Sequence, residues 1–236
     1  MDEESAIHRI PRSNILLMDC MEFVDGLKDK DSYAVVADPP YGISYARRGQ
    51  SKNSVVTSRG KGRNARKRIV GDDKPFDPLL FSGFHACAFT GAQHFYSRLP
   101  EGGSLHCWDK RGDYKRLTQA DADMVWISRV MKSRVFRLVW RGICRHDEET
   151  EMILHPTQKP ISVMRWMIKL MELPKGMTIF DPYMGSGSTG VAAIQLGFGF
   201  VGCEVDPEYF AVAQKRIAVA LEFAKQIKIP GLESYD

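Results

Sequence analysis

No stretch of this 236-residue chain is apolar for long enough to cross a membrane, and its first residues, Met1-Asp2-Glu3-Glu4-Ser5, are acidic where a secretory leader would be basic. A soluble, cytoplasmic protein is the expectation. Cysteine motifs are missing as well. Cys20, Cys87, Cys107, Cys144 and Cys203 are odd in number and scattered, with no Cys-x-x-Cys pair and no histidine at metal-ligand spacing. Reduced thiols and no metal centre follow. Repeats and low-complexity tracts are absent too, and a hydrophobic content of 44% suffices for a buried core, so residues 1–236 read as one domain. The most informative absence is local. Between Gly42 and Gly71 there is no Asp or Glu, while Arg47, Arg48, Lys52, Arg59, Lys61, Arg63, Arg66, Lys67 and Arg68 supply nine positive charges. The 24 basic residues left of the chain's 33 face all 29 acidic ones, a net of −5, so one segment carries the positive character. Most such runs are solvated faces. This one, read as a basic mobile loop over 43–70, suits phosphate contacts, with ordering on nucleic-acid binding as the expectation.

The loop departs from Asp38-Pro39-Pro40-Tyr41, which closes the apolar run Tyr33-Ala34-Val35-Val36-Ala37. A short apolar run stopped by two prolines predicts a buried strand ending in a rigid loop, because each ring fixes its own φ and Pro40 also keeps Pro39 out of helical geometry. Asp38 and the Pro39 carbonyl can accept the two N–H bonds of an exocyclic amine, and Tyr41 can cover the face of the ring that bears it. A plain strand-ending turn fits the same four residues equally well.

A second signature lies downstream. The strand Met177-Thr178-Ile179-Phe180-Asp181 runs into Pro182-Tyr183-Met184-Gly185-Ser186-Gly187-Ser188-Thr189-Gly190 and a small-residue helix. Glycines there let the backbone approach a cofactor closely. The next strand, Phe198 to Cys203, ends in Glu204, placed to accept hydrogen bonds from ribose hydroxyls, and Asp206-Pro207 starts a helix with Phe210, Ala213, Ile217 and Leu221 on one face. By count, Gly185, Gly187 and Gly190 also satisfy Gly-x-Gly-x-x-Gly, so the loop by itself is compatible with a dinucleotide or with another adenosine cofactor. Near the N-terminus, Asn14 to Met18 predicts a further strand, with Asp19 as cap of a short helix.

Between these motifs, over Asp77 to Ser97, the pattern Leu79, Leu80, Phe84, Cys87 and Ala88 predicts a helix after Pro78, and Ser104 to Trp108 a strand in which His106 is a packed residue rather than a base. Across 122–150, apolar and basic residues alternate, which predicts two strands joined near Lys132-Ser133. Trp126, Phe136 and Trp140 read as core, or alternatively as part of a target-recognition surface. His155-Pro156-Thr157-Gln158-Lys159-Pro160 opens a helix carrying Ile161, Met164, Ile168 and Met171, and Thr157 and Lys159 at its entrance can meet an anionic group.

Taken together, Asp-Pro-Pro-Tyr at 38–41, His-Pro-Thr-Gln-Lys-Pro at 155–160 and Asp-Pro-Tyr-Met-Gly-Ser-Gly-Ser-Thr-Gly at 181–190, in that order, resemble the β group of S-adenosylmethionine-dependent DNA amino-methyltransferases. The resemblance covers roughly 14–42 and 155–220; Met18 stands where that family usually has Gly. It implies an α/β, Rossmann-like methyltransferase sheet with circularly permuted motif order and a small DNA-recognition insertion. It further implies methylation of an exocyclic amine in double-stranded DNA after base flipping, with Asp38, Pro39, Pro40 and Tyr41 as the catalytic loop. By the same resemblance Glu204 takes the cofactor ribose and Asp19 its adenine edge. Asp181, Gly185, Gly187 and Thr157 or Lys159 take its methionine end, and Cys20, Pro182, Ser186, Thr189, Val205 and Asp206 complete the cofactor set. Asp at position 38 points to adenine N6 rather than cytosine N4. A non-catalytic DNA-binding relative is the alternative of another class, and a homodimer is compatible with the family.

Overall fold

The computed structural model of the chain describes residues 13–44, 70–111, 120–141, 144–145 and 158–226. Two strands of the expected set come first: β1 (Asn14–Leu17), the helix α1 (Cys20–Gly26) and β2 (Tyr33–Ala37). Next come β3 (Ala86–Thr90), β4 (Ser104–Asp109), β5 (Ala122–Ile127), β6 (Val135–Arg137) and the two-residue pair β7 (Trp140–Arg141) and β8 (Cys144–Arg145). The C-terminal half holds α2 (Ile161–Met171), β9 (Thr178–Asp181), α3 (Ser188–Gln195), β10 (Gly199–Glu204) and α4 (Pro207–Gln226).

Eight strands form one sheet in the order β1-β10-β9-β2-β3-β5-β4-β6. From β1 to β3 every pairing is parallel, whereas β5 runs against both β3 and β4. The carboxyl ends of β1, β10, β9, β2, β3 and β4 and the start of β5 therefore share one rim, where open α/β sheets bind ligands. The chain builds β2, at the sheet's centre, before its neighbour β9 and before β10 beyond it, which is the permuted order expected from the motifs.

Side-chain alternation decides the two layers. Ala34 and Val36 of β2 and Ile179 of β9 face the layer of α2, α3 and α4, packed with Val163, Met164, Met167 and Ile168. Val35, Ala37 and Phe180 face the opposite layer, an aromatic cluster of Phe76, Phe81, Phe84, Phe89 and Phe95. Burial on both faces explains why β2 reads as an unbroken apolar run. At Gly190 a Cβ would come within 2.7 Å of Phe200 and 2.8 Å of Ile217, so the small residue lets α3 lie close on β10 and α4.

One expected element is different. The helix predicted from Pro78 onward is a single 3-10 turn, Pro78–Phe81, capped by Asp77, followed by Gly83 at φ +89° and then by β3. Cys87 to Thr90 are buried on both faces, and such a run has no period by which to tell strand from helix. The strands on either side of Lys132-Ser133 do form, but they do not pair: β5 and β6 lie on opposite sides of β4. Val125, Trp126 and Ile127 are sheet interior, whereas Ala122 and Met124 stay half-buried and Asp123 lines the cavity at the rim. His106 is packed, as expected. Its Nδ1 accepts from the Arg134 N–H at 3.0 Å and its Nε2 meets the Ser104 hydroxyl at 2.9 Å, so the neutral ring is satisfied.

Phe180 is fully buried against Phe23 and Phe84, with ring centroids 5.0 and 5.8 Å away. Phe180→Ala is expected to cost about 3–5 kcal/mol of unfolding free energy in urea titration.

Candidate active site

The rim opens into a cavity of about 960 Å³ that reaches from Asp19 and Glu204 at one end to Lys110 and Asp123 at the other. Its centre is the loop after β2. Asp38 Oδ1 accepts hydrogen bonds from the Tyr41 and Thr90 hydroxyls, and Oδ2 pairs with the Lys159 ammonium at 2.6 Å. Lys159 also donates to the Tyr41 hydroxyl at 3.1 Å. Burial works against the Lys159 charge, but the Asp38 carboxylate beside it more than compensates and holds the ammonium above the ordinary lysine range. Burial and Asp38 both raise the Tyr41 phenol, which stays protonated and donates. The Tyr41 ring stacks on the imidazole of His94 at 4.8 Å. Gly91, at φ +70°, makes this possible: a Cβ there would lie 2.1 Å from Tyr41 Cε1.

On the β1, β10 and β9 side the lining is acidic. Asp19 caps α1, accepting from the Met21 N–H at 2.8 Å, and Cys20 is buried beside it, its thiol pushed up to about 11 by burial and by Asp19. Glu204 ends β10 with both oxygens engaged, Oε2 by the Gly185 N–H at 2.9 Å and Oε1 by the Val205 and Asp206 N–H groups at 2.9 and 2.8 Å. Burial raises its carboxyl above the usual range against these three donors. Asp181, 2% exposed, accepts from the Tyr183 N–H at 3.0 Å, and burial pushes its carboxyl up to about 7 despite that bond and one from Thr189. Arg216 braces the glycine loop from α4, donating to the Ser186 carbonyl at 2.6 Å.

This charge pattern decides what that lobe can hold. Asp19, Asp181, Glu204 and Asp206 line it, and the Arg216 guanidinium behind the glycine loop is engaged by the Ser186 carbonyl and the Ser186 and Ser188 hydroxyls. A dinucleotide pyrophosphate needs cations or free N–H groups, whereas four carboxylates suit a ligand that carries positive charge and hydroxyls. An adenosine with a sulfonium and an ammonium fits, so the alternative that the glycine spacing left open is disfavoured by the lining.

Asp38, Pro39, Pro40, Tyr41, Asp19, Cys20, Lys159, Asp181, Pro182, Gly185, Ser186, Thr189, Glu204, Val205 and Asp206 all line the one cavity. Gly187 stands just outside it as the cap of α3. Lys159 lies between the two lobes, on Asp38. Thr157 and the nine basic residues of the 43–70 segment lie outside the described residues, but both ends of that segment are tied together at the cavity mouth. Asp72, 5% exposed, accepts from the Gly42 and Ile43 N–H groups at 3.0 and 3.1 Å. Sequence reasoning missed Thr90, Gly91, His94, Lys110 and Asp123. The first three sit in what read as a helix, and the last two carry no motif.

The fold is Rossmann-like, with a cavity at the carboxyl ends of its parallel strands. The model of the DNA methylase family matches residues 100–215. The type II methyltransferase M2.DpnII of Streptococcus pneumoniae is 33% identical over 110 residues, 47% of this chain and 40% of that protein. M2.MboI of Moraxella bovis is 24% identical over 247 residues, 86% of each. The DNA adenine methyltransferase YhdJ of Escherichia coli is 36% identical over 72 residues, 30% of this chain and 24% of that one. Thus the matched stretch spans less than half of M2.DpnII and of YhdJ. Among solved structures, the cytosine-N4-specific PvuII DNA methyltransferase shares the fold, with a TM-score of 0.54 at 14% identity over 92% of this chain and 93% of that one. Over residues 100–215 the chain is similar to the DNA methylase family, and the relatives it matches are DNA methyltransferases.

Asp181 titrates from its ordinary 3.8 when unfolded to about 7 when folded, so its burial costs nothing below pH 4 and up to roughly 4 kcal/mol above pH 7. Asp181→Asn keeps the acceptor oxygen and loses the charge. In urea unfolding it is expected to be more stable than the parent at pH 8, with the gain shrinking towards zero as pH falls from 7 to 4.

Proposed function

We propose that the chain transfers a methyl group from S-adenosylmethionine to the N6 amine of adenine in double-stranded DNA, as a cytoplasmic modification enzyme of the restriction-modification type. The observation that carries this reading is the opening of the Asp38 to Tyr41 loop and the acidic lobe onto one cavity, so that an amine and an adenosine cation can meet there. The cofactor supplies an electrophilic methyl carbon. The chain supplies position and charge. Asp19 and Glu204 hold the adenosine, and Asp181 and the Gly185–Gly187 loop take the methionine end.

Of the four lone-pair directions of the Asp38 carboxylate, Tyr41, Thr90 and Lys159 use three, which leaves one on Oδ2 for an amine N–H. With the Pro39 carbonyl taking the other N–H, the nitrogen lone pair is drawn out of ring conjugation and aimed at the methyl group. The gain is one of orientation, and no covalent enzyme intermediate is needed. Flipping the base costs a few kcal/mol, offset in part by stacking on aromatic rings in the cavity. The basic segment, whose ends meet at Asp72, would contact the phosphates through its nine Lys and Arg side chains. Cytosine N4 is the second reading, favoured by the fold shared with PvuII and disfavoured by Asp38.

The test is transfer of labelled methyl from S-adenosylmethionine to unmethylated genomic DNA, followed by nucleoside mass analysis and mapping of the modified site. N6-methyladenine is expected, and N4-methylcytosine alone would move the reading to the second substrate. Asp38→Ala should lower incorporation by about a hundredfold or more with cofactor affinity retained. Equal incorporation would remove Asp38 from catalysis. Gly91→Ala, which drives a methyl group into the Tyr41 ring, should lower turnover in the same direction while leaving cofactor affinity unchanged.

A further inference from the structure

The half of the cavity beyond Asp38, away from the acidic lobe, is walled by the ends of β3 and β4 and the start of β5. Lys110 follows β4, and its ammonium pairs with the Asp123 carboxylate of β5. Asp123 is 6% exposed and is locked from its other side: Oδ1 accepts from Gln93 Nε2 at 3.1 Å, and Gln93 Oε1 accepts from the Met124 N–H at 2.9 Å. The Lys110 ammonium also lies 4.7 Å from the ring centroid of the buried Trp108. Lys110, Asp123, Trp108 and His94 all line the cavity that Asp38 faces.

This arrangement is costly as a structural device. A buried ion pair seldom stabilises a fold more than apolar residues of the same size would. Burial lowers the Lys110 ammonium from the ordinary lysine range, against the pull of the Asp123 carboxylate. Burial acts against the Asp123 carboxylate, but Lys159 and Lys110 together hold it below its ordinary range. Among the described residues, one of the three Lys110 N–H bonds goes to a carboxylate. Lys159, the other ammonium on this part of the wall, commits two of its own to Asp38 and Tyr41.

A base that presents an exocyclic amine to Asp38 and the Pro39 carbonyl presents, beside that amine, a bare ring nitrogen: N1 in adenine, N3 in cytosine. The complementary wall has to donate. We propose that Lys110, held in place by Asp123 and Gln93, is a specificity-determining residue whose ammonium donates to the ring nitrogen next to the target amine. A base with a ring N–H at that position, such as thymine, meets the ammonium donor to donor and is rejected. The assignment rests on the amine-methylation reading above.

The experiment uses the full chain and a duplex carrying the mapped target site, with the target adenine either intact or replaced by 1-deazaadenine, in which N1 is a C–H; for a cytosine target, 3-deazacytosine serves. Methylation of the intact duplex by the parent protein establishes the reading itself, separately from the role of Lys110. The parent is expected to lose roughly 10- to 100-fold in kcat/KM on the deaza duplex, the range for one charge-assisted bond in a desolvated site. Lys110→Met should fall to that lower level on adenine and show no further loss on the deaza base. Cofactor affinity by calorimetry, unchanged in the variant, reports an intact fold; Lys110→Leu, which also lacks a donor, carries the same comparison should the Met variant fail to fold. A Lys110 variant that keeps the parent's preference for adenine over 1-deazaadenine overturns the proposal, as does a parent that does not distinguish the two.

Discussion

A carboxylate drawn into a cavity wall loses several kcal/mol of hydration and has to be met by donors. Asp38 is met by three, from three parts of the chain: Tyr41 in its own loop, Thr90 at the end of β3, and Lys159 ahead of α2. Each contact holds only if β2 and β3 are in register and α2 begins where it does. The same donors orient the carboxylate, so the cluster that pins the centre of the sheet is also the cluster that the amine chemistry would use. A functional group built on a strand end and supported by neighbouring elements is held more accurately than one on a free loop.

Around that centre the cavity divides by charge. Asp19, Asp181, Glu204 and Asp206 gather on the β1, β10 and β9 side, and the Lys159 and Lys110 ammonium groups, each paired with an aspartate, stand from Asp38 outward. The division suits a cationic adenosine cofactor on one side and an acceptor-rich base edge on the other. Its cost is visible in Asp181, whose carboxyl is lifted to about 7 by burial. Strain of this kind is tolerated where function needs it and is absent from the aromatic layer beneath, where Phe76, Phe81 and Phe89 pack edge to face and stacked.

Much of this was legible before any coordinates. The strands ending at Asp38, Asp181 and Glu204 are short apolar runs stopped by proline, glycine or acid, and their ends gather on one rim because parallel strands put like ends together. Asp19 and Asp206 were recognisable as helix caps, and both are. The helix read after Pro78 was wrong because a strand buried on both faces has no alternation, and that error hid Thr90, Gly91 and His94. Lys159 was readable as a cation at a helix entrance, but its pairing with Asp38, 121 residues away in the chain, was not.

The sequence by itself determined the local chemistry: rigid prolines after an acid, glycines where a backbone must come close, a basic segment without a single acid, and the order of motifs that marks the family. Those are properties of neighbouring residues, and neighbours in sequence stay neighbours in the fold. Only the tertiary structure decided which groups share a cavity. Reversing β5 between β3 and β4 sets Asp123 against Lys110, and Gly91 makes room for a ring fifty residues earlier in the chain. Such pairings depend on strand order and direction, which sum many weak packing preferences over the whole chain and leave no mark at any one position.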